Sequence, residues 1–306
     1  MTLTELRYIV AVAQERHFGR AAARCFVSQP TLSVGVRKLE EELGVVLFER
    51  RRGGAVPTPA GARVVAQAQR VLEAVEALRR LADETRDPLD GPLRLGAIYT
   101  IGPYLFPPLI PLLHEHAPRM PLVVEEGFTD DLLESLQQGA LDAVLLATPV
   151  HEPGIEARAL YREPFVVLVP ASHPWRDREA IAAEDLAAEE LLLLGRGHCF
   201  REQVIEACPA CAAAVESGRL QHAVAGSSLE TIRYMVASGL GITVLPCSAA
   251  GADRYSQRLV EIRRFREPVP RRTVSIAWRR GFPRPAAIDA VAAAVRACGL
   301  SCVDYL

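Results

Sequence analysis

The sequence predicts an α/β protein in three parts: a small module of three short helices and a hairpin, a long connecting helix, and a body of two α/β lobes. Three observations predict it. Apolar residues recur at helical spacing up to Leu43; one amphipathic run follows Thr58-Pro59; and beyond Gly91-Pro92, strand-like and helical runs alternate to the C-terminus. With 306 residues, 50% hydrophobic and 24% charged, the chain is long enough for more than one core.

In the first module, Leu3, Leu6, Ile9, Val10 and Ala13 mark one helix, and "HFGRAAARCF" marks a second whose alanines permit a close crossing. Ser28 is a good N-cap for a third helix, with Pro30 in its first turn, where a missing N–H costs nothing. Leu32, Val36, Leu39 and Leu43 form its buried stripe, and Gly44 ends it. The opposite face carries Pro30, Thr31, Val34, Arg37 and Lys38. Such a helix has the dimensions of a major-groove reading head. "VVLFERRRGGAVPTPAG" then gives a hairpin whose tip holds Arg50, Arg51 and Arg52, a wing that fits over phosphates.

Charge agrees with this division. The net charge is −2, yet residues 1–58 hold nine Arg or Lys against six Asp or Glu, a net +3 that leaves −5 for the rest. A basic end on an acidic body is expected when only that end meets nucleic acid.

"RAAARCFVSQPTLSVGVRKLEEELGVVLFER", continued by "TPAG", closely resembles the winged helix-turn-helix of LysR-type transcriptional regulators. The resemblance implies that Gln29, Pro30, Thr31, Ser33 and Arg37, with Lys38 beside them, approach base edges or nearby phosphates of double-stranded operator DNA. It further implies RNA polymerase as a partner.

Thr58 and Pro59 open the next helix, in which Val64, Ala68, Val71, Val75, Leu78 and Ala82 follow the spacings of a coiled-coil seam. With no obvious partner element nearby in sequence, the seam predicts a homodimer, which a helix-turn-helix needs to read two half-sites. Asp87-Pro88 and Gly91-Pro92 end the helix.

Beyond, "LRLGAIY", "LVVEEG", "LDAVLLAT", "PFVVLVP", "LLLLG", "GITVLP" and "RRTVSIAW" are the predicted strands, with helices at 103–117, 129–139, 228–239 and 284–298. The alternation predicts a mainly parallel sheet. This region resembles the LysR-type effector domain, a periplasmic-binding-protein-like pair of lobes crossed twice by the chain. The resemblance divides the protein into 1–58 (winged helix-turn-helix), 59–90 (dimerising linker helix and hinge) and 91–306 (effector domain). Within the last, lobe I is 91–163 plus 269–306 and lobe II is 164–268.

The N-terminal "MTLTELRYIVAVAQE" lacks the uninterrupted apolar core of a signal peptide, and no run of about 18 uncharged apolar residues occurs that would cross a bilayer. A cytoplasmic protein is expected, one in which thiols stay reduced and structural disulfides are not expected. "GHCFREQVIEACPAC" nevertheless gathers three of seven cysteines. A buried strand precedes it, and a helix begins near Cys199, where the helix N-terminus, His198 and Arg201 are candidates to stabilise a thiolate. On one helix, Cys199 and Cys208 would stand about 13.5 Å apart, whereas a disulfide tolerates about 7 Å between Cα atoms. A bond between them therefore requires unwinding, which Pro209 makes easier by ending the helix near Cys208.

"GHCFREQVIEAC", preceded by "IYTIGPYLFP" and followed by "SSLETIRYMVASGLGITVLP", is very similar to the peroxide-sensing branch of the LysR-type family. That likeness implies that hydrogen peroxide oxidises Cys199 to sulfenic acid and that Cys208 resolves it as a disulfide. It implies that Thr100, Thr129 and His198 line the peroxide pocket, that Arg272 supports the thiolate, and that the protein is a homotetramer. It implies a regulator rather than an enzyme, with no cofactor.

Cys211 departs from that pattern. A C-x-x-C spacing could form its own disulfide, resolve Cys199 or capture Cys208. A zinc set of His198, Cys199, Cys208 and Cys211 is disfavoured because adjacent His198 and Cys199 make awkward co-ligands. Two other functions compete: a LysR-type regulator of a small organic ligand in the cleft, and a thiol peroxidase or disulfide oxidoreductase.

Overall fold

The computed structural model describes residues 1–51, 54–82, 88–211, 223–224, 228–251 and 258–306. The chain forms two compact units, Met1–Asp87 and Pro88–Leu306.

The first unit runs α1 (Leu3–Glu15), α2 (Phe18–Arg24), α3 (Gln29–Leu43), β1 (Phe48–Arg51), β2 (Gly54–Pro57) and α4 (Pro59–Ala82). Thr2 and Glu5 cap α1 reciprocally, and Ser28 Oγ accepts the Thr31 N–H at the start of α3. Leu32, Val36 and Leu39 are fully buried, but Leu43 is 38% exposed, because the helix stops at Gly44 on the rim of the core. β1 and β2 pair antiparallel as the wing. The "TPAG" motif has a steric cause: a Cβ on Gly61 would stand 2.0 Å from the Leu47 carbonyl oxygen.

The seam of α4 differs from its expected use. Val64, Ala68 and Val71 pack into this unit's own core, where α1 lies against α4. Distance in sequence hid α1 as their partner. Val75 is half-buried and Leu78 exposed, while the Ala82 side chain lies outside the described residues.

The second unit contains β3 (Leu93–Ile98), α5 (Gly102–His116), β4 (Leu122–Gly127), α6 (Thr129–Gln137), β5 (Ala143–Leu146), β6 (Ile155–Pro170), β7 (Ala180–Ile181) and β8 (Leu191–Leu194). It continues with α7 (Cys199–Ala207), β9 (Ala223–Val224), α8 (Leu229–Ala237), β10 (Ile242–Pro246), α9 (Cys247–Ala250), β11 (Val260–Phe265), β12 (Arg271–Arg279), α10 (Pro285–Ala297) and β13 (Asp304–Tyr305).

β6 is the spine. Its residues Ile155–Pro164 pair with β12, and Phe165–Pro170 pair with β10 and β11, so one strand serves two sheets. The first sheet runs β4-β3-β5-β12-β6 and the second β6-β10-β8-β9. The strand order is mixed rather than mainly parallel. β3, β4 and β5 are mutually parallel, as are β8, β9 and β10, but β6 and β12 run against each other and against the strands they join. A chain that leaves one lobe on β6 and returns on β12 must run these two strands in opposite directions. Each lobe has its own apolar core, one around Leu95, Leu105, Leu145 and Ile288, the other around Phe165, Leu192, Phe200 and Leu245.

Two disulfides contradict the expectation of none: Cys208–Cys211 and Cys247–Cys302, with Cα separations of 5.2 and 6.1 Å. Both separations are within disulfide reach. Cys25, Cys199 and Cys298 are free.

Candidate functional site

The Cys199 site is built where α7 begins. Four buried leucines of β8 deliver the chain to a turn at Gly197, whose φ of +96° favours glycine, and a Cβ there would stand 3.3 Å from the Phe128 ring. His198 is the N-cap of α7 and Cys199 its first helical residue. Phe200, Val204 and Cys208, spaced by four, anchor the helix in the second lobe's core. Cys199 itself is half-buried and packs against the first lobe's core.

A recess of about 10 Å³ opens at Cys199, lined by Thr100, Thr129, Phe128, Gly197 and His198. That is room for roughly one water-sized molecule. The structure thus brings together Thr100, Thr129, His198 and Cys199. The helix N-terminus favours an anion at Cys199, since its first N–H groups lack intrahelical partners.

Thr129 does not cap α6: Phe128 is the N-cap residue and Thr129 follows it. Its Oγ1 is buried without a hydrogen-bond partner, and the residue lines the recess. Thr100 does not cap α5 either. Its Oγ1 accepts from Arg272 Nη1 at 2.7 Å, and its carbonyl accepts from Arg272 Nη2 at 2.9 Å. The Thr100 hydroxyl proton therefore remains available to an acceptor in the recess.

Arg272 is buried and reaches the recess through Thr100 rather than directly. Its Nε donates to Glu163 Oε1 at 2.7 Å, directly across the β6–β12 register. Glu163 is fully buried, and its other oxygen accepts from Ser248 Oγ at 2.6 Å. The guanidinium carbon also stands 5.2 Å from the centre of the Phe200 ring on α7. Glu163, Arg272, Thr100 and α7 thus form one connected unit.

His198 is 8% exposed, wedged against Tyr99 and Phe128 with ring centres 5.8 and 4.9 Å away. Burial pushes its imidazole below the ordinary histidine value, which favours the neutral ring near pH 7. Arg201 is engaged elsewhere, donating to the Leu194 carbonyl at 3.0 Å.

At the other end of α7, Cys208 and Cys211 are fully buried and bonded to each other. Cys208 is therefore not a free thiol in this structure, and a resolving role requires the Cys208–Cys211 bond to be reduced first. Among the described residues, no group of three or more His, Cys, Asp or Glu is arranged to hold a metal. A larger cavity of about 500 Å³ lies beside α7, lined by Phe165, Gln203, Glu206, Arg271, Thr273 and Ser275 among others.

In the N-terminal unit, α3 exposes Gln29, Pro30, Thr31, Val34 and Arg37, while Ser33 is half-buried. Lys38 ion-pairs with the largely buried Glu5 of α1 at 3.1 Å, which ties α3 to α1. The side chains of Arg50 and Arg51, and all of Arg52, lie outside the described residues. Among the described residues, no helix is long and apolar enough to cross a membrane.

Sequence reasoning missed Glu163, Ser248 and Phe128. Glu163 carried a signal: it is an acidic residue heading the apolar run "PFVVLVP". Such a charge enters a sheet only when paired.

Two family models match the chain. The bacterial regulatory helix-turn-helix protein, lysR family, covers residues 3–62, and the LysR substrate binding domain covers residues 86–298. The DNA-binding transcriptional dual regulator OxyR of Escherichia coli is 41% identical over 97% of this chain and 95% of its own. A probable hydrogen peroxide-inducible genes activator of Streptomyces viridosporus is 39% identical over 96% of this chain and 93% of its own. Among solved structures, full-length OxyR C199D from Pseudomonas aeruginosa aligns with a TM-score of 0.85 at 55% identity, covering 98% of this chain and 96% of that one.

Proposed function

The chain belongs to the LysR family of bacterial transcription regulators, and from that premise we propose that it is a peroxide-responsive member, a DNA-binding switch thrown by Cys199. The observation that carries this reading is the Cys199 recess: a half-buried free cysteine at a helix N-terminus, facing a space of about 10 Å³ with an unpartnered threonine hydroxyl. An organic effector does not fit such a space, which leaves only very small reactants, hydrogen peroxide among them. The Streptomyces viridosporus relative, named as a probable hydrogen peroxide-inducible genes activator, supports the same reading.

The Cys199 thiolate attacks one peroxide oxygen, forming an S–O bond as the O–O bond breaks and hydroxide leaves. Thr129 and Thr100 hold the peroxide oxygens by hydrogen bonds, and the buried Arg272 orients Thr100. The resulting sulfenic acid is attacked by reduced Cys208: an S–S bond forms, the S–O bond breaks, and water leaves. Because the two cysteines bracket α7, the bond forms only as the helix unwinds. Phe200 and Val204 then leave their core positions, and the Phe200–Arg272 contact breaks. That repacking is the two-state element through which oxidation reaches DNA.

DNA is read by Gln29, Pro30, Thr31, Ser33 and Arg37 of α3, with Lys38 and Arg50, Arg51 and Arg52 toward phosphates. The exposed Leu78 of α4 leaves apolar surface for a homodimer contact; by likeness to the family, the protein assembles to a homotetramer and works with RNA polymerase in the cytoplasm. The cavity beside Gln203 and Glu206 favours a second reading, in which a small organic ligand acts on α7.

The test is a peroxide titration of reduced protein on operator DNA, followed by footprinting, beside Cys199→Ser. Peroxide is expected to change the parent footprint and leave that of Cys199→Ser unchanged. A Cys199→Ser footprint that still responds would overturn the reading.

A further inference from the structure

We propose that Cys211 is a second resolving thiol that takes the disulfide over from Cys199 and so ends the signal; this rests on the peroxide-switch reading of the same site. Three sulfurs lie along one stretch of chain, but the two possible bonds to Cys208 differ in what they do to the fold. A Cys199–Cys208 bond closes a span of about 13.5 Å along α7, so the helix must unwind. The Cys208–Cys211 bond needs no such change. Its Cα atoms stand 5.2 Å apart while α7 is intact, with Cys208 as the helix C-cap and the Cys211 N–H donating to the Cys208 sulfur at 3.2 Å.

Both sulfurs are fully buried in the second lobe's core, beside Phe200 and Val204. A Cys208–Cys211 bond therefore coexists with the native packing, and a Cys199–Cys208 bond forfeits it. Only Pro209 and Ala210 separate Cys208 from Cys211, so Cys211 stays beside Cys208 whether α7 is wound or not. Exchange between the two bonds is thus local, and it runs toward the packed state.

The step balances without an outside reactant. The Cys211 thiolate attacks the Cys208 sulfur of the Cys199–Cys208 bond; the Cys208–Cys211 bond forms, and Cys199 leaves as a thiolate. α7 can then rewind, with the leaving thiolate at its N-terminus, where a helix favours negative charge. Over the whole sequence, one hydrogen peroxide oxidises the Cys208 and Cys211 thiols to a disulfide and yields two waters. The product is the state seen in this structure: α7 wound, Cys199 free, and Cys208 blocked. It has the fold of the reduced protein but no free resolving thiol. It rearms only when a thiol reductant opens the Cys208–Cys211 bond; meanwhile a second peroxide takes Cys199 to sulfenic acid with no free Cys208 to resolve it, and a third takes it to sulfinic acid.

The experiment uses the full-length protein, fully reduced, given one equivalent of hydrogen peroxide, quenched in acid at intervals, alkylated and mapped by mass spectrometry. In the parent, Cys199–Cys208 is expected first, decaying into Cys208–Cys211 as free Cys199 returns. In Cys211→Ser, and in Cys211→Ala should the serine disturb the core, Cys199–Cys208 should persist at least about tenfold longer, since no neighbouring thiol can attack it. A parent in which Cys199–Cys208 persists as long as in both variants, with Cys211 still alkylated, overturns the inference and leaves the peroxide switch standing. Cys208–Cys211 forming as fast in Cys199→Ser as in the parent also overturns it, because the bond then arises without Cys199. A parent in which Cys199 is never oxidised sinks the switch reading itself, and the inference with it.

Discussion

The two ends of α7 carry cysteines in opposite circumstances. Cys199, the first helical residue, is free, half-buried and borders a recess holding about one small molecule. Cys208, at the C-cap, is fully buried and already bonded to Cys211. The first end suits reaction with a small oxidant; the second is sealed from it. The difference teaches that reaction and resolution are kept apart by an intact helix, so oxidation must break packing to complete itself. That packing is what makes a chemical event structural.

The largest expected effect comes from the ion pair that backs both the recess and α7. Glu163→Gln leaves the buried Arg272 charge unpaired and should cost about 3–5 kcal/mol, read as a fall in Tm or in denaturant midpoint. A loss under 1 kcal/mol, on the same scale as a surface change, would mean that Arg272 is not held as described. Next is the Cys247–Cys302 bond, which ties the segment before β13 to the start of α9. Without reductant, Cys302→Ser should be about 2–4 kcal/mol less stable than the parent, and with reductant that difference should disappear. A parent indifferent to reductant would show that this bond does not form in solution.

Thr129 sharpens the contrast at the reactive end. Because its Oγ1 has no partner, Thr129→Val should leave stability unchanged or raised, yet slow the oxidation of Cys199 by about tenfold, the scale of one lost hydrogen bond. Stopped-flow peroxide kinetics beside a melting curve separates the two effects; an unchanged rate removes Thr129 from the recess chemistry. The smallest effect is the pH response of His198. Burial lowers its pKa in the folded state, so the unfolded chain binds the proton first as pH falls below about 6.5. Stability should therefore drop as pH falls through that window and be fully present above it. His198→Phe should flatten this part of the stability profile, and an equally steep profile in the variant would assign the response elsewhere.

Local sequence signals made much of this legible. Ser28, Pro30 and Gly44 bounded α3, and the buried leucines before Gly197 placed Cys199 at a helix start. Pro209 marked the end of α7, and the observed C-cap is Cys208. What stayed hidden depended on contacts between distant segments. The long β6 was read only in its apolar second half, because its first five residues, Ile155–Ala159, are exposed or half-buried and include charged side chains. Glu163 finds Arg272 only through the β6–β12 register, and α1 meets α4 across the width of its unit. The burial of His198 between Tyr99 and Phe128 was not legible, because those rings come from two other loops. Cys211 could be seen in the sequence, but its bond to Cys208 follows from the turn that Pro209 begins.

The central claim is that oxidising Cys199 unwinds α7. Hydrogen exchange of the full-length protein, read across residues 200–207, tests it most directly in the reduced state and within the lifetime of the Cys199–Cys208 bond. The account predicts that these amides lose protection in the parent on peroxide treatment and keep it in Cys199→Ser. Undiminished protection of α7 in protein whose Cys199–Cys208 bond is confirmed by mass would contradict it.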